Sequence, residues 1–160
     1  QQRKPVAQTK IRNLINGKTL TRNFHQNESF DEVEVEMKKL MFIYQHRGDY
    51  FFTELENPGK RLSLKEDILG TSAQFLKPNT EVSALQWGDR IINVKIPIKM
   101  DILVKETPPG ERGNTAQGGS KVAELETVAK IQVPLFVNTG DTIRINTETG
   151  DYVERIEKSK

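Results

Sequence analysis

Side chains able to do covalent chemistry are scarce in this chain, and their spacing argues against catalysis. There is no cysteine and there are two histidines, His25 and His46. Thiolate and disulfide chemistry are therefore excluded. Each histidine lies near a predicted turn, without a second ligand at metal spacing, and is expected to be exposed. The acids Asp31, Glu32, Glu34 and Glu36 alternate with Val33 and Val35. A strand with one solvated face explains this better than a carboxylate pair for acid–base work. Nothing resembles a serine nucleophile elbow. Residues 113–121 come near the phosphate-binding loop G-x-x-x-x-G-K-[ST], but Ser120 separates Gly119 from Lys121. That motif also needs a helix behind it, so that terminal amides meet the phosphates. Residues 122–127 read as strand, and a nucleotide site is rejected.

Binding by charge and shape is the chemistry that remains. The net charge is only +2, yet Arg3, Lys4, Lys10, Arg12, Lys18 and Arg22 precede the first acid, Glu28. A basic block on a nearly neutral body suggests contact with a polyanion at that end. The second unusual stretch is PPGERGNTAQGGSK, residues 108–121, with four glycines and no large apolar side chain. It reads as a long exposed loop between two strands. Connections of this length are either functional or disordered.

The elements that must position these residues are nearly all strands. Residues 6–14 alternate, with Val6, Gln8, Lys10 and Arg12 on one side and Ala7, Thr9 and Ile11 on the other. Asn16-Gly17 predicts a hairpin, because both residues tolerate positive φ, and residues 19–24 pair back. A polar, acidic junction is expected over residues 27–36. Strands follow over 37–45 and 50–54. Ser63 and Glu66 form a capping box, predicting a short helix ended by Gly70, with a further turn or two over 71–76. A hairpin over 80–96 turns at Gly88-Asp89, and Pro97 marks a second junction. Strands are then expected near 100–104, 121–126, 129–133, 141–146 and 152–156. Trp87-Gly88-Asp89 and Thr149-Gly150-Asp151-Tyr152 sit at similar places in the two sets, a repeat too faint to weigh. Many short strands with one small helix suggest small Greek-key barrels in tandem. Hydrophobic residues make up 35% of the chain, and no apolar run approaches the ~20 residues that span a bilayer.

Over essentially its whole length the chain resembles bacterial translation elongation factor P. The strongest match is GERGNTAQGGSKVAELETVAKIQVPLFVNTGDTIRINTETGDYVERI, residues 110–156. The segments LKEDILGTSAQFLKPNTEVSAL, WGDRIINVKIP and KIRNLINGKTLTRNF are also similar. The resemblance implies an all-β chain: part of an SH3-like (KOW-type) barrel over residues 1–33, then two OB-fold barrels over 34–97 and 98–160, in an L-shaped tandem. It implies no enzyme and no cofactor. The expected role is a cytoplasmic, monomeric factor bound to the 70S ribosome between the P and E sites. There it contacts P-site tRNA and ribosomal RNA and promotes peptide bonds at proline-rich stalls. The physical logic is orientation, since holding two reactants in attack geometry removes an entropic barrier.

The same resemblance places contacts residue by residue. The tRNA-facing loop of the first domain falls on Gln1, Gln2, Arg3 and Lys4, with backbone contacts from Lys10 and Arg12. The small-subunit loop falls on Gly113, Asn114, Thr115, Ala116, Gly118 and Gly119, where Asn114 replaces the usual Asp. The carboxyl-terminal contacts fall on Tyr152 and Arg155. By residue type alone these two would be a core tyrosine and a solvated arginine, and Arg155→Ala is expected to barely change stability. Val128 stands where the family usually has Gly, and is expected to tighten a turn that glycine would let adopt positive φ. The chain begins where the family has already formed three strands, so an amino-terminal truncation is expected. The rival readings are the elongation factor P-like paralogue, a protein-interaction scaffold, and an OB-type RNA-binding module acting off the ribosome. Phe51, Phe52 and Trp87 could stack on bases in the last, although they are expected in the core.

Overall fold

The computed structural model describes residues 5–111 and 118–160. Strands β1 (Val6–Arg12) and β2 (Thr19–His25) form an antiparallel hairpin, with Val6 opposite His25 and Arg12 opposite Thr19. β1 ends two residues before the expected boundary because the turn begins at Asn13. The Asn13 side chain accepts hydrogen bonds from the N–H groups of Ile15 and Asn16, and Gly17 takes φ +71°. Almost every residue of the hairpin is exposed, so it carries no core of its own. The acidic segment that follows is irregular rather than a strand, and Val33 and Val35 are both exposed. Among the described residues no strand pairs with it, and pairing with the next sheet starts only at Glu36. Alternation of residue types alone cannot hold a strand without a partner ladder.

Ten further strands make two sheets of identical plan. The first contains β3 (Glu36–His46), β4 (Asp49–Glu54), β5 (Arg61–Lys65), β6 (Glu81–Trp87) and β7 (Arg90–Lys95), in the order β5-β4-β3-β6-β7. The second contains β8 (Lys99–Glu106), β9 (Ser120–Leu125), β10 (Lys130–Pro134), β11 (Thr142–Asn146) and β12 (Tyr152–Glu157), in the order β10-β9-β8-β11-β12. Each is antiparallel, with its first strand central, the ladder of a five-stranded OB barrel. The faint repeat seen in the sequence is therefore structural: Gly88 and Gly150, both at positive φ, turn the fourth strand into the fifth in each sheet. Helix α1 (Glu66–Leu69) and a 3₁₀ turn (Thr71–Phe75) join the third strand to the fourth in the first sheet. The capping box is not formed. Ser63 lies inside β5, opposite Phe51, and Lys65 stands at the helix start without a side-chain cap. Ladder hydrogen bonds there outcompete a cap for a single-turn helix.

The two sheets share one core. Leu40, Phe42, Phe52 and Phe75 from the first pack in the same cluster as Ile102, Leu125, Ile143 and Ile145 from the second. The seam between them is polar and fully engaged. Thr147 is 1% exposed. Its hydroxyl lies 2.6 Å from the Pro97 carbonyl, its N–H donates to Ile98 O, and its carbonyl accepts from Ser72 Oγ at 2.8 Å. Lys77 Nζ crosses the seam to Asp101 O at 2.7 Å.

Val128 overturns the expected tight turn without positive φ. Its φ is +71°, because Val128 N–H bonds Leu125 O and Leu125 N–H bonds Ala129 O on either side. The hairpin imposes the geometry and the β-branched side chain bears the strain, pointing outward with two-thirds of its surface exposed (67%). Left-handed backbone costs a non-glycine residue about 1–2 kcal/mol, partly offset by the extra unfolded-state freedom of glycine. Val128→Gly is accordingly expected to stabilise the chain by about 1 kcal/mol, raising Tm by about 2–4 °C. A thermal melt that falls instead would show that the valine side chain contributes packing.

Candidate RNA-contact surfaces

Hairpin register turns a list of cations into a surface. Lys10 faces Thr21 and Arg12 faces Thr19 across the ladder, with Gln8 opposite Asn23 and Val6 opposite His25. Strand alternation places these side chains on one face. That face thus carries two cations, two hydroxyls and two amides, and no acid. Side chains of these types are the ones that contact phosphate oxygens in protein–nucleic acid complexes. Sequence reasoning singled out Lys10 and Arg12 as candidates; Thr19, Thr21 and Asn23 join them on this face only through the hairpin register. The opposite face holds Ala7, Ile11, Leu20 and Phe24 with Arg22, whose guanidinium lies 4.8 Å from the Phe24 ring centroid. Gln1, Gln2, Arg3 and Lys4 lie outside the described residues.

The glycine-rich loop springs from a fixed base. Lys121 is 8% exposed, and its ammonium donates to Pro108 O at 2.6 Å, tying one arm of the loop to the other. Thr107 Oγ1 donates to Val122 O, and Thr107 N–H donates to Thr139 Oγ1. Gly110 lies so close to the Leu135 backbone that a Cβ there would meet its carbonyl oxygen at 2.5 Å. Of the expected contact residues, Gly118, at φ +57°, and Gly119 belong to the described structure. Gly113, Asn114, Thr115 and Ala116 lie outside it.

Tyr152 and Arg155 share one strand, but neither is a free surface group. Tyr152 is half-buried against the core, edge-on to Phe136, and burial pushes its phenol pKa up. The Arg155 guanidinium stacks on the Phe136 ring at 5.0 Å and donates to Phe136 O and to Asp141 Oδ2. Asp141 is fully buried, at 0% exposure. It also accepts from Asn138 N–H at 2.9 Å and Ser159 N–H at 2.8 Å. Burial pushes its carboxyl pKa up, but these donors outweigh burial and hold it below the ordinary range. The expectation of a solvated arginine is thus corrected: Arg155 compensates a buried charge. One strand pair over, Arg144 grips Asp101 through two hydrogen bonds, at 2.8 and 3.0 Å, which lowers the Asp101 pKa.

His25 and His46 are exposed. Among the described residues no three potential metal ligands cluster, and no helix is long and apolar enough to cross a membrane. The aromatic expectation divides. Phe52 is core, while Trp87 is 49% exposed and Phe51 stacks on the exposed Tyr44.

The Asp141 network sets a pH dependence. A carboxyl pKa held low in the folded state contributes stability above the ordinary aspartate value and loses it as pH falls through the lowered one. Arg155→Ala removes one of the donors responsible. It is expected to cost about 1–2 kcal/mol at neutral pH and to move acid unfolding to higher pH. Urea melts across a pH series check both shifts; an unchanged acid limb would show that Arg155 does not hold Asp141.

Comparison with known proteins agrees with this architecture. Residues 100–155 match the family described as "Elongation factor P, C-terminal". The chain is 38% identical over 149 residues to "Elongation factor P" of Moorella thermoacetica, covering 93% of this chain and 80% of that protein. It is 32% identical over 158 residues to that of Thermodesulfovibrio yellowstonii, covering 99% and 84%. It is 37% identical over 150 residues to that of a Thermoanaerobacter species, covering 94% and 80%. With similarity running through both five-stranded sheets and the amino-terminal hairpin, the chain belongs to the elongation factor P family of translation factors.

Proposed function

We propose that this protein docks on the 70S ribosome between the P and E sites, contacts P-site tRNA and ribosomal RNA, and promotes peptide-bond formation at proline-rich stalls. The observation that carries this reading is the acid-free face of the β1–β2 hairpin, where Lys10 and Arg12 stand among Thr19, Thr21 and Asn23. Such a face binds sugar–phosphate backbone without reading bases. In this reading residues 1–33, 34–97 and 98–160 are three domains, and the protein works as a monomer in the cytoplasm. Gln1, Gln2, Arg3 and Lys4 lead into the hairpin and approach the tRNA acceptor end. Gly113, Asn114, Thr115, Ala116, Gly118 and Gly119 meet the small subunit; the described residues at the base of their loop are held by Lys121 and Gly110. Tyr152 and Arg155 form the carboxyl-terminal contact.

The mechanism needs no reactive side chain. A brace that holds the tRNA acceptor end in attack geometry converts binding energy into lost translational and rotational freedom, which chemistry then need not supply.

The test is translation of a polyproline message together with ribosome binding at several salt concentrations. Lys10→Ala with Arg12→Ala is expected to abolish rescue and weaken binding. Each lost phosphate contact should also flatten the slope of log affinity against log salt by about 0.7–0.9. Rescue and salt slope both equal to the parent's would overturn the placement of the contact face.

A further inference from the structure

We propose that the outer corner of β3, β4 and β5 is a second RNA site, a stacking platform for unpaired bases of a single strand. Tyr44 on β3 and Phe51 on β4 stack with ring centroids 4.6 Å apart and planes 11° apart. Tyr44 nevertheless remains 45% exposed. The reason is topological. β6 pairs with β3 only as far as Met41, and Phe42 closes onto Asn79 and Thr80. Beyond that point β3 runs on as a hairpin arm toward His46, with no strand along its outer edge. One face of the Phe51–Tyr44 stack therefore has no neighbouring side-chain row, and a nucleobase can extend the stack there.

The surroundings select a polyanionic strand. Ser63 lies opposite Phe51 on the edge strand β5, with Arg61 and Lys65 two residues to either side on the same face. The hairpin turn carries Arg47 at φ +49°. Asp49 is the acid nearest the rings in the ladder, and Lys65 neutralises it at 2.6 Å. Arg47 and Arg61 pair with no acid among the described residues. The open ring face of Tyr44, with Arg47 in the adjoining turn and Ser63, Arg61 and Lys65 beyond Phe51 on the other side of the stack, suits a base with its flanking phosphates; a protein partner would need a larger apolar area than two rings. In five-stranded barrels of this plan the second and third strands form the oligonucleotide face, and here those are β4 and β5. Cross-strand stacking stabilises the hairpin by itself, but it leaves the outer ring face in water. Base–aromatic stacking uses that face and tolerates any sequence.

The site differs from the β1–β2 face in residues and in chemistry, and it does not depend on ribosome docking. The experiment uses the full chain and an oligoadenylate of about eight nucleotides. Aromatic NMR follows the Tyr44 and Phe51 rings, and fluorescence anisotropy gives the affinity. Both rings are expected to shift upfield on titration, and Tyr44→Leu is expected to weaken binding about tenfold. Tyr44→Phe keeps the ring and should bind like the parent, as should Lys10→Ala with Arg12→Ala to a large extent. The proposal is overturned if Tyr44→Leu binds like the parent, or if only β1–β2 resonances move. If Tyr44→Leu fails to fold, the ring shifts of the unsubstituted chain decide alone. Loss of polyproline rescue with the oligonucleotide site intact would count against the ribosomal reading and leave this one standing.

Discussion

The architecture hangs on the polar atoms of the buried Thr147: its hydroxyl, its N–H and its carbonyl. A threonine with 1% exposure must satisfy its polar atoms within the protein, since each unpaired buried group costs about 1–3 kcal/mol. It does so by joining Pro97 and Ile98, at the junction between the sheets, to Ser72 on the 3₁₀ turn of the first sheet. Around this point Gly150 lies beside Phe75, where a Cβ would stand in ordinary contact with its ring, at 3.6 Å. Two curled sheets that could have been independent beads are thereby locked edge to edge.

Polar interactions elsewhere also serve position. Asp141 is fully buried at the start of β11. Through Asn138, Ser159 and Arg155 it fixes a turn, the carboxyl-terminal segment and β12 relative to one another. Lys121, itself nearly buried, donates its ammonium to Pro108 O, across the base of the glycine loop. Burying ionised groups is expensive unless donors and acceptors are preset. Both sites meet that condition with backbone groups, which are rigid. The hairpin β1–β2 is the opposite case, a ladder with little buried surface and its cations in water.

Much of this was legible from residue types. Strand alternation and turn chemistry located nearly every strand, and Gly88 and Gly150 marked equivalent turns. β5 was missed because Ser63 and Glu66 spell a helix cap, a local signal that ladder pairing with Phe51 overrides. The acidic segment before β3 alternates like a strand but has no neighbour to pair with. Val128 could not be read at all, since its positive φ is set by hydrogen bonds of the surrounding hairpin. For the candidate face, charge clustering pointed to Lys10 and Arg12, whereas their hydroxyl and amide companions depend on register. Arg155 looked like a surface cation because its partner, Asp141, is fourteen residues away in sequence and its burial is a tertiary fact.

If the Thr147 seam joins the two sheets into one rigid body, the distance between them has a single value. The chain has no cysteine, so spin labels attach only where cysteines are introduced. With labels at Glu56→Cys and Lys158→Cys, both exposed positions, pulsed electron–electron resonance should give one narrow distance distribution. Thr147→Val removes the hydroxyl at nearly constant volume and should broaden that distribution. A broad or two-peaked distribution in the parent, or an unaltered one in Thr147→Val, would contradict the account.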